Sequence, residues 1–389
     1  MKTPRKRPYF PCQACMSVLL LSLGPSLLLP VPGSGQASPH AFGTGVQFQS
    51  YSFNEALGAE VANLTLIPLA YTLPVGQRFD LELYSAYANG SVEKGGYSYL
   101  LKGPVDTQVR AKIRVSPWAV LTALVNIPTG KSTHDAEEAV VASVLSTDIL
   151  GFQEANWGTG AGFTAGFATA HQAADWGIGV GASYRLSTGF EPTEGSSLRF
   201  EPGNEIRIRL GVDRNVGEDG KFSAGITAQN FSEDQFGGRN LFQAGNRLRV
   251  DASYAFRTGR STWALYGVNV WREAGDAFLD LANPQGEIVG DTTVTVGSQN
   301  LLILGVNGST PLGSTLRIRP SLDVRYQSRE EGDGEGWIIG AGGDLPLRLF
   351  DSWDVFPRAK LLFGSLTSVE AVSEGLWGLE LGLTLRWQG

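Results

Sequence analysis

Residues 376–389 read LWGLELGLTLRWQG. Trp377, Leu379, Leu381, Leu383, Leu385 and Trp387 fall on one side of an extended chain. Gly378, Glu380, Gly382, Thr384 and Arg386 fall on the other. The period is two, that of a β-strand whose side chains alternate between faces. One face is apolar along its whole length, and the other carries glycine and charge. Such a strand suits hydrocarbon on one side and a wet lumen on the other. The two tryptophans stand where aromatic girdles flank an apolar band.

The pattern recurs upstream. TLRIRPSLDVRYQ (315–327) sets Leu316, Ile318, Pro320, Leu322, Val324 and Tyr326 against Arg317, Arg319, Ser321, Asp323 and Arg325. NRLRVDASYAFR (246–257) sets Leu248, Val250, Ala252, Tyr254 and Phe256 against Arg247, Arg249, Asp251, Ser253 and Arg257. NEIRIRLGV (204–212) and VRAKIRV (109–115) repeat the arrangement. Strands of ordinary globular proteins average about 5–6 residues. These run longer, near the roughly 9–11 residues that a tilted strand needs to cross a bilayer.

Connections alternate in length. Short ones fall after Leu73, at Ser116, near His171, Val216, Gly259, Pro311 and Asp351. Longer ones cover 54–61, 89–106, 128–156, 188–203, 232–244, 273–298, 328–335 and 365–374. Outer-membrane barrels have short periplasmic turns and long outer loops. The fold class expected is therefore all-β: a transmembrane antiparallel up-and-down β-barrel of about 16 strands, with 14 as the alternative. No linker divides residues 38–389, which read as one barrel domain.

The first residues have another character. Lys2, Arg5, Lys6 and Arg7 precede an apolar run from Met16 to Leu29, and Gly35-Gln36-Ala37 offers small residues for cleavage. Residues 1–37 are expected to be a cleaved signal peptide that directs export to a Gram-negative-type outer membrane. A spanning helix wants about 20 apolar residues, and Pro25 interrupts this run. Cys12 and Cys15 are the chain's two cysteines and lie before it, so the mature protein is expected to have no disulfide or thiolate chemistry. Losing the four basic residues takes the formal net charge from −7 to −11. That argues against nucleic acid as a partner. The 50 glycines are nearly twice the usual share of about 7%. With 9 Trp, 11 Tyr and 19 Phe, the chain is not a disordered glycine-rich one.

LVNIPTGKSTHDAEEAVVASVL, from Leu124, invites comparison with a phosphate-binding loop. Gly130, Lys131 and Ser132 supply the end of Gly-x-x-x-x-Gly-Lys-Ser. Val125 stands where the first glycine belongs, and Pro128 has no N–H to donate. The stretch reads instead as a barrel strand ending at Pro128-Thr129-Gly130, with a short helix over Asp135 to Val144 in the loop that follows.

IPLAYTLP (67–74), LVNIPTGKS (124–132), GTGAGFTAGFATAHQAADWGIGVGASYRLSTGFEP (158–192) and the C-terminal strand resemble outer-membrane transporters for hydrophobic compounds. These include the family linked to the phenol meta-degradation pathway and, more distantly, the long-chain fatty acid transporters. The resemblance implies an outer-membrane transporter for small hydrophobic solutes. In the fatty acid transporters a kink in the wall makes a side exit.

Alternation places Arg110, Lys112, Arg114, Arg207, Arg209, Arg247, Arg249, Arg317, Arg319 and Arg325 inward, with Arg257, Arg358, Lys360 and Arg386. Glu205, Asp213, Asp251, Asp323 and Glu380 share those rows. Basic groups exceed acidic ones in a chain that is acidic overall. The rows read equally as a cationic lumen that focuses its field on anions and as ion pairs bracing the wall.

Pro68, Pro320 and Pro357 fall inside predicted strands; Pro320 is the best candidate for a bulge. The three histidines, His40, His134 and His171, form no cluster. Ser132, His134 and Asp135 are near neighbours in one loop, whereas triads are assembled from distant rigid segments. REEGDGEG (329–336) reads as a solvated acidic loop rather than a Ca²⁺ site. No catalytic, cofactor or metal residue is assigned.

The expected function is a channel or transporter for small solutes, hydrophobic or anionic and amphipathic. The alternative is a structural or adhesive barrel with a blocked lumen and partner-binding outer loops. Expected partners are outer-membrane lipid and lipopolysaccharide, a small-molecule solute and the barrel-insertion machinery. The sequence leaves the oligomeric state open.

Overall fold

The computed structural model describes residues 40–53, 57–195, 197–282, 288–313, 316–330, 334–367 and 372–389. Residues 1–37, expected to be a signal peptide, lie outside them, as do parts of the loops at 54–61, 188–203, 273–298, 328–335 and 365–374. The apolar/polar alternation becomes a closed antiparallel barrel of sixteen strands. In chain order these are β1 (Ala41–Phe53), β2 (Val61–Val75), β3 (Phe79–Lys94), β4 (Tyr97–Pro104 continued by Thr107–Ser116) and β5 (Ala119–Ile127). Then come β6 (Gly162–Ala173), β7 (Trp176–Ser187), β8 (Glu205–Val216), β9 (Gly220–Phe231), β10 (Arg247–Thr258) and β11 (Ser261–Arg272). The last are β12 (Gln299–Leu312), β13 (Leu316–Arg329), β14 (Gly336–Asp344 continued by Leu347–Phe350), β15 (Trp353–Thr367) and β16 (Ser373–Gln388). Each pairs with the next, and β16 returns to β1 from Ala41↔Gln388 to Phe53↔Leu376. Closure leaves no unpaired barrel edge, the condition for a sheet in hydrocarbon.

Large apolar side chains cover the outside. Val250, Leu322, Val324, Leu381 and Leu383 are exposed there. Trp118, Trp176 and Phe350 lie outward near the short-turn end, and Tyr184, Trp271, Trp337 and Trp377 near the other. The barrel thus has an apolar band between two aromatic girdles, the exterior of an outer-membrane protein.

Two expectations are corrected and a third is extended. Residues 89–106 are no long loop: β3 and β4 extend upward and turn at Gly95-Gly96, both at positive φ. The loops after β7, β9 and β11 are not merely irregular. Phe200–Glu201, Asp234–Phe236, Arg239–Gln243, Gly275–Ala282 and Ile288–Val296 build a second, five-stranded antiparallel sheet. Pro320 makes no bulge. The β12–β13 ladder is interrupted between Asn307↔Ser321 and Thr310↔Ile318 with its register kept. The missing N–H leaves a gap without inserting a residue. Pro68 does the same on the β1 side, between Thr44↔Leu69 and Gln47↔Leu66. Pro357 faces the break between the two segments of β14, where Leu345 N–H donates to the Pro357 carbonyl.

One bulge matters for the site. Tyr87 pairs with Pro104, but Tyr84 pairs with Gln108, so β4 holds one extra residue between. Such an insertion re-aims side chains. Val105 and Asp106 are both buried.

Candidate functional site: a lumen half filled by a folded segment

The connection from β5 to β6 folds into the barrel. The expected helix forms as α1 (Ala136–Leu145). Asp135 caps it, accepting the Glu137 and Glu138 N–H groups, and Glu138 returns a bond to the Asp135 N–H, a capping box. A 3₁₀ turn, Asp148–Leu150, ends at Gly151, whose φ of 64° suits glycine. Val141, Leu145, Ile149, Leu150 and Trp157 are fully buried. They pack with inward-facing Tyr51, Leu64, Leu101, Ile338 and Leu362. At roughly 1.5–3 kcal/mol per buried side chain, expelling this plug costs on the order of 10 kcal/mol. Gly90 makes room for it: a Cβ there would stand 2.7 Å from Leu145 Cδ1 and 3.1 Å from Val141 Cγ1.

Polar contacts fix the plug at both ends. At its neck, Asp106 Oδ1 accepts the Gly130 N–H at 2.9 Å, and Oδ2 accepts those of Thr159 and Asn126 Nδ2, both at 2.8 Å. Gly130 is glycine because a Cβ there would overlap the Trp157 carbonyl oxygen. Lys131 pairs with Glu138. Gly130 and Lys131, which imitate part of a phosphate loop, are therefore engaged in the plug's own structure. Deeper in the lumen, Leu150 O accepts from Tyr51 Oη at 2.5 Å and from Arg325 Nη1 at 2.6 Å. Asp148 Oδ2 accepts from Arg272 Nη2 at 3.0 Å and Gln299 Nε2 at 2.9 Å. Tyr84 donates to Glu154 at 2.7 Å. Burial raises the Glu154 carboxyl to about 7, against the Tyr84 hydrogen bond and with help from Asp106.

His134 stands 3.9 Å from Glu138, and burial lowers its pKa. Among the described residues no group of acidic, histidine or cysteine side chains is arranged to hold a metal.

The register puts all ten basic positions singled out from sequence on the face that carries the plug. Many are paired. Arg110 and Lys112 share Glu82, Arg209 and Arg249 share Asp251, and Arg325 lies between Asp323 and Glu380. Arg114 meets Asp80 at 2.7 Å, Arg207 meets Glu205 at 2.7 Å and Arg319 meets Asp344 at 3.7 Å. Arg247 stacks on Phe231. Arg317 reaches Ser309 near the turn end. Asp80, Glu82, Asp344, Arg272 and Asp106 belong to the site but escaped the sequence count. The first four follow the same alternation in strands that were not tallied. Asp106 depends on the bulge.

Below the plug lies a cavity of about 820 Å³. Asp148 and Phe152 of the plug reach it from above; Arg319, Phe356, Arg358 and Arg386 lie toward its other end. The surface is mixed, with Leu301 and Ile303 beside the cations.

Fold and exterior define an outer-membrane β-barrel. No family model matches the chain, and no curated protein does. Among solved structures, a TodX ΔS2S3 mutant monoaromatic hydrocarbon channel aligns over 91% of this chain and 91% of its own, at 9% identity and TM-score 0.48. An outer-membrane channel from Pseudomonas putida F1 aligns over 92% and 99%, at 12% identity and TM-score 0.36. The DcaP channel of Acinetobacter baumannii aligns over 92% and 99%, at 8% identity and TM-score 0.41.

Proposed function

We propose that this protein is an outer-membrane channel that passes small solutes, with anionic and amphipathic ones favoured. One observation carries the reading: two carboxylates on the inward face each serve two cations. Glu82 serves both Arg110 and Lys112, and Asp251 serves both Arg209 and Arg249. Each shared carboxylate leaves one positive charge over. Arg209 and Arg110 are nearly half exposed, so that charge reaches water in the lumen. A narrow wet channel between low-dielectric walls concentrates such a field. The apolar side chains beside the cations of the cavity suit a solute with an apolar part. The resemblance to transporters of hydrophobic compounds agrees with that.

Reversal potentials across a planar bilayer test it. Anion preference is expected, fading as salt shortens the Debye length to about 3 Å at 1 M. Arg207→Glu with Arg209→Glu should move the potential toward cations. Cation selectivity of the wild type would refute the proposal. The second reading, a partner-binding barrel with a closed lumen, draws on the plug and the five-stranded loop sheet. A protein that inserts and conducts nothing would favour it.

A further inference from the structure

The cavity beneath the plug is not uniform. Its inner end, toward the short turns, carries three arginines from three strands: Arg319 on β13, Arg358 on β15 and Arg386 on β16. The carboxylates around them are too few. Asp344 stays 3.7 Å from Arg319, beyond hydrogen-bond length. Glu380 accepts from Arg358 at 3.2 Å but also faces Arg325 at 3.5 Å. Asp354 stands across the ladder from Arg386 and meets Arg348 instead, at 3.4 Å. Arg386 therefore has no carboxylate at ion-pair distance among the described residues; the side-chain amide of Gln388 lies against it. Arg319 and Arg386 are close enough for their charges to repel. Arg319 and Arg358 are nearly half exposed, so their remaining N–H groups face the cavity.

Two aromatic rings border the same cavity. Phe356 carries the Arg319 guanidinium over its face, 5.3 Å from the ring centre. Tyr266 lies across Gly305, where a Cβ would overlap its ring, and its phenol is within electrostatic reach of Arg358. Gly305 pairs with Asp323, and roughly 13 Å of β13 runs from there to Arg319. We propose that this part of the cavity binds a planar aromatic carboxylate, with its anionic group among Arg319, Arg358 and Arg386 and its ring toward Tyr266. The inference rests on the channel reading and names a solute class for it. Guanidinium forks match a carboxylate in paired, charge-assisted hydrogen bonds. Ring faces favour an aromatic neighbour beyond the area that the contact buries. An aryl ring joined to its carboxylate by a short methylene linker fits the span between Tyr266 and the arginines.

Titration calorimetry of the purified, folded barrel in detergent tests this with phenylpropionate and requires no conduction. Saturable binding is expected. Cyclohexylpropionate, of equal charge and similar size but not planar, should bind about threefold or more weakly. Arg386→Gln, in protein with the heat-modifiable mobility of a folded barrel, should weaken phenylpropionate about tenfold. Arg260→Gln removes an equal charge from the turn between β10 and β11, outside the cavity, and should bind as the wild type does. Absence of saturable binding by the wild type would overturn the proposal, and so would equal affinity for the two acids. That comparison uses the wild type alone and decides even where a variant fails to fold. An Arg386→Gln variant that binds no more weakly than Arg260→Gln would also overturn it, leaving only a diffuse attraction to positive charge. A barrel that binds the aryl acid at this site and conducts nothing would defeat the channel reading and leave the binding site standing.

Discussion

Asp106 accepts the Gly130 N–H at 2.9 Å from the neighbouring end of a 24-residue span. Its second oxygen takes the Thr159 N–H, so one carboxylate closes both ends of the plug. Asp106→Ala leaves those buried donors without their acceptor, at about 1–3 kcal/mol each. The ladder of the barrel does not depend on it. Hydrogen exchange across 128–161 should therefore rise while heat-modifiable mobility stays that of a folded barrel. Unaltered exchange in the segment would contradict the clamp.

The two faces of β16 predict opposite outcomes for one substitution. Leu381→Arg puts a charge into the lipid band, at about 2–4 kcal/mol near the midplane. Thr384→Arg points into the lumen and should assemble far better. Equal yields of folded barrel would be incompatible with the register.

Labelling reads the same faces on β10. Val250→Cys should resist a charged thiol reagent in the bilayer, and Arg249→Cys should react. Similar rates at both sites would contradict the alternation.

Glu154 gives the plug a pH dependence. Its carboxyl, raised to about 7, holds its proton in the seated plug through a range where an exposed glutamate has lost it. The seated state binds more protons there, so its stability falls as pH rises from the usual glutamate range to about 7, and then levels off. Protection factors of amides 148–157, corrected for the intrinsic exchange rate at each pH, should be higher at pH 5 than at pH 8. Glu154→Gln should remove most of that difference; persistence of the full difference would assign it to another group.

Some of this was legible residue by residue. In 376–389 the alternation alone assigns a strand, a lipid face and a lumen face, because the β-strand repeat is two and lipid tolerates no charge. The capping residues Asp135 and Glu138 announce α1 from their spacing. What alternation does not carry is which way the loop folds. Trp157, Leu150 and Leu145 read as apolar loop residues until Leu64, Leu101 and Leu362, far apart in sequence, provide the surface that buries them.

The sequence by itself determined the barrel and its faces, since these follow from local periodicity. Only the tertiary structure decided that Pro320 opens a ladder gap instead of a bulge, and that a bulge in β4 turns Asp106 inward. It alone paired Arg110 and Lys112 with Glu82, and seated the plug against β1 to β4 and β11 to β16. Those outcomes depend on which strands become neighbours and on a single extra residue in one of them. A register shift of that size changes the face of every side chain beyond it, and no local pattern records it.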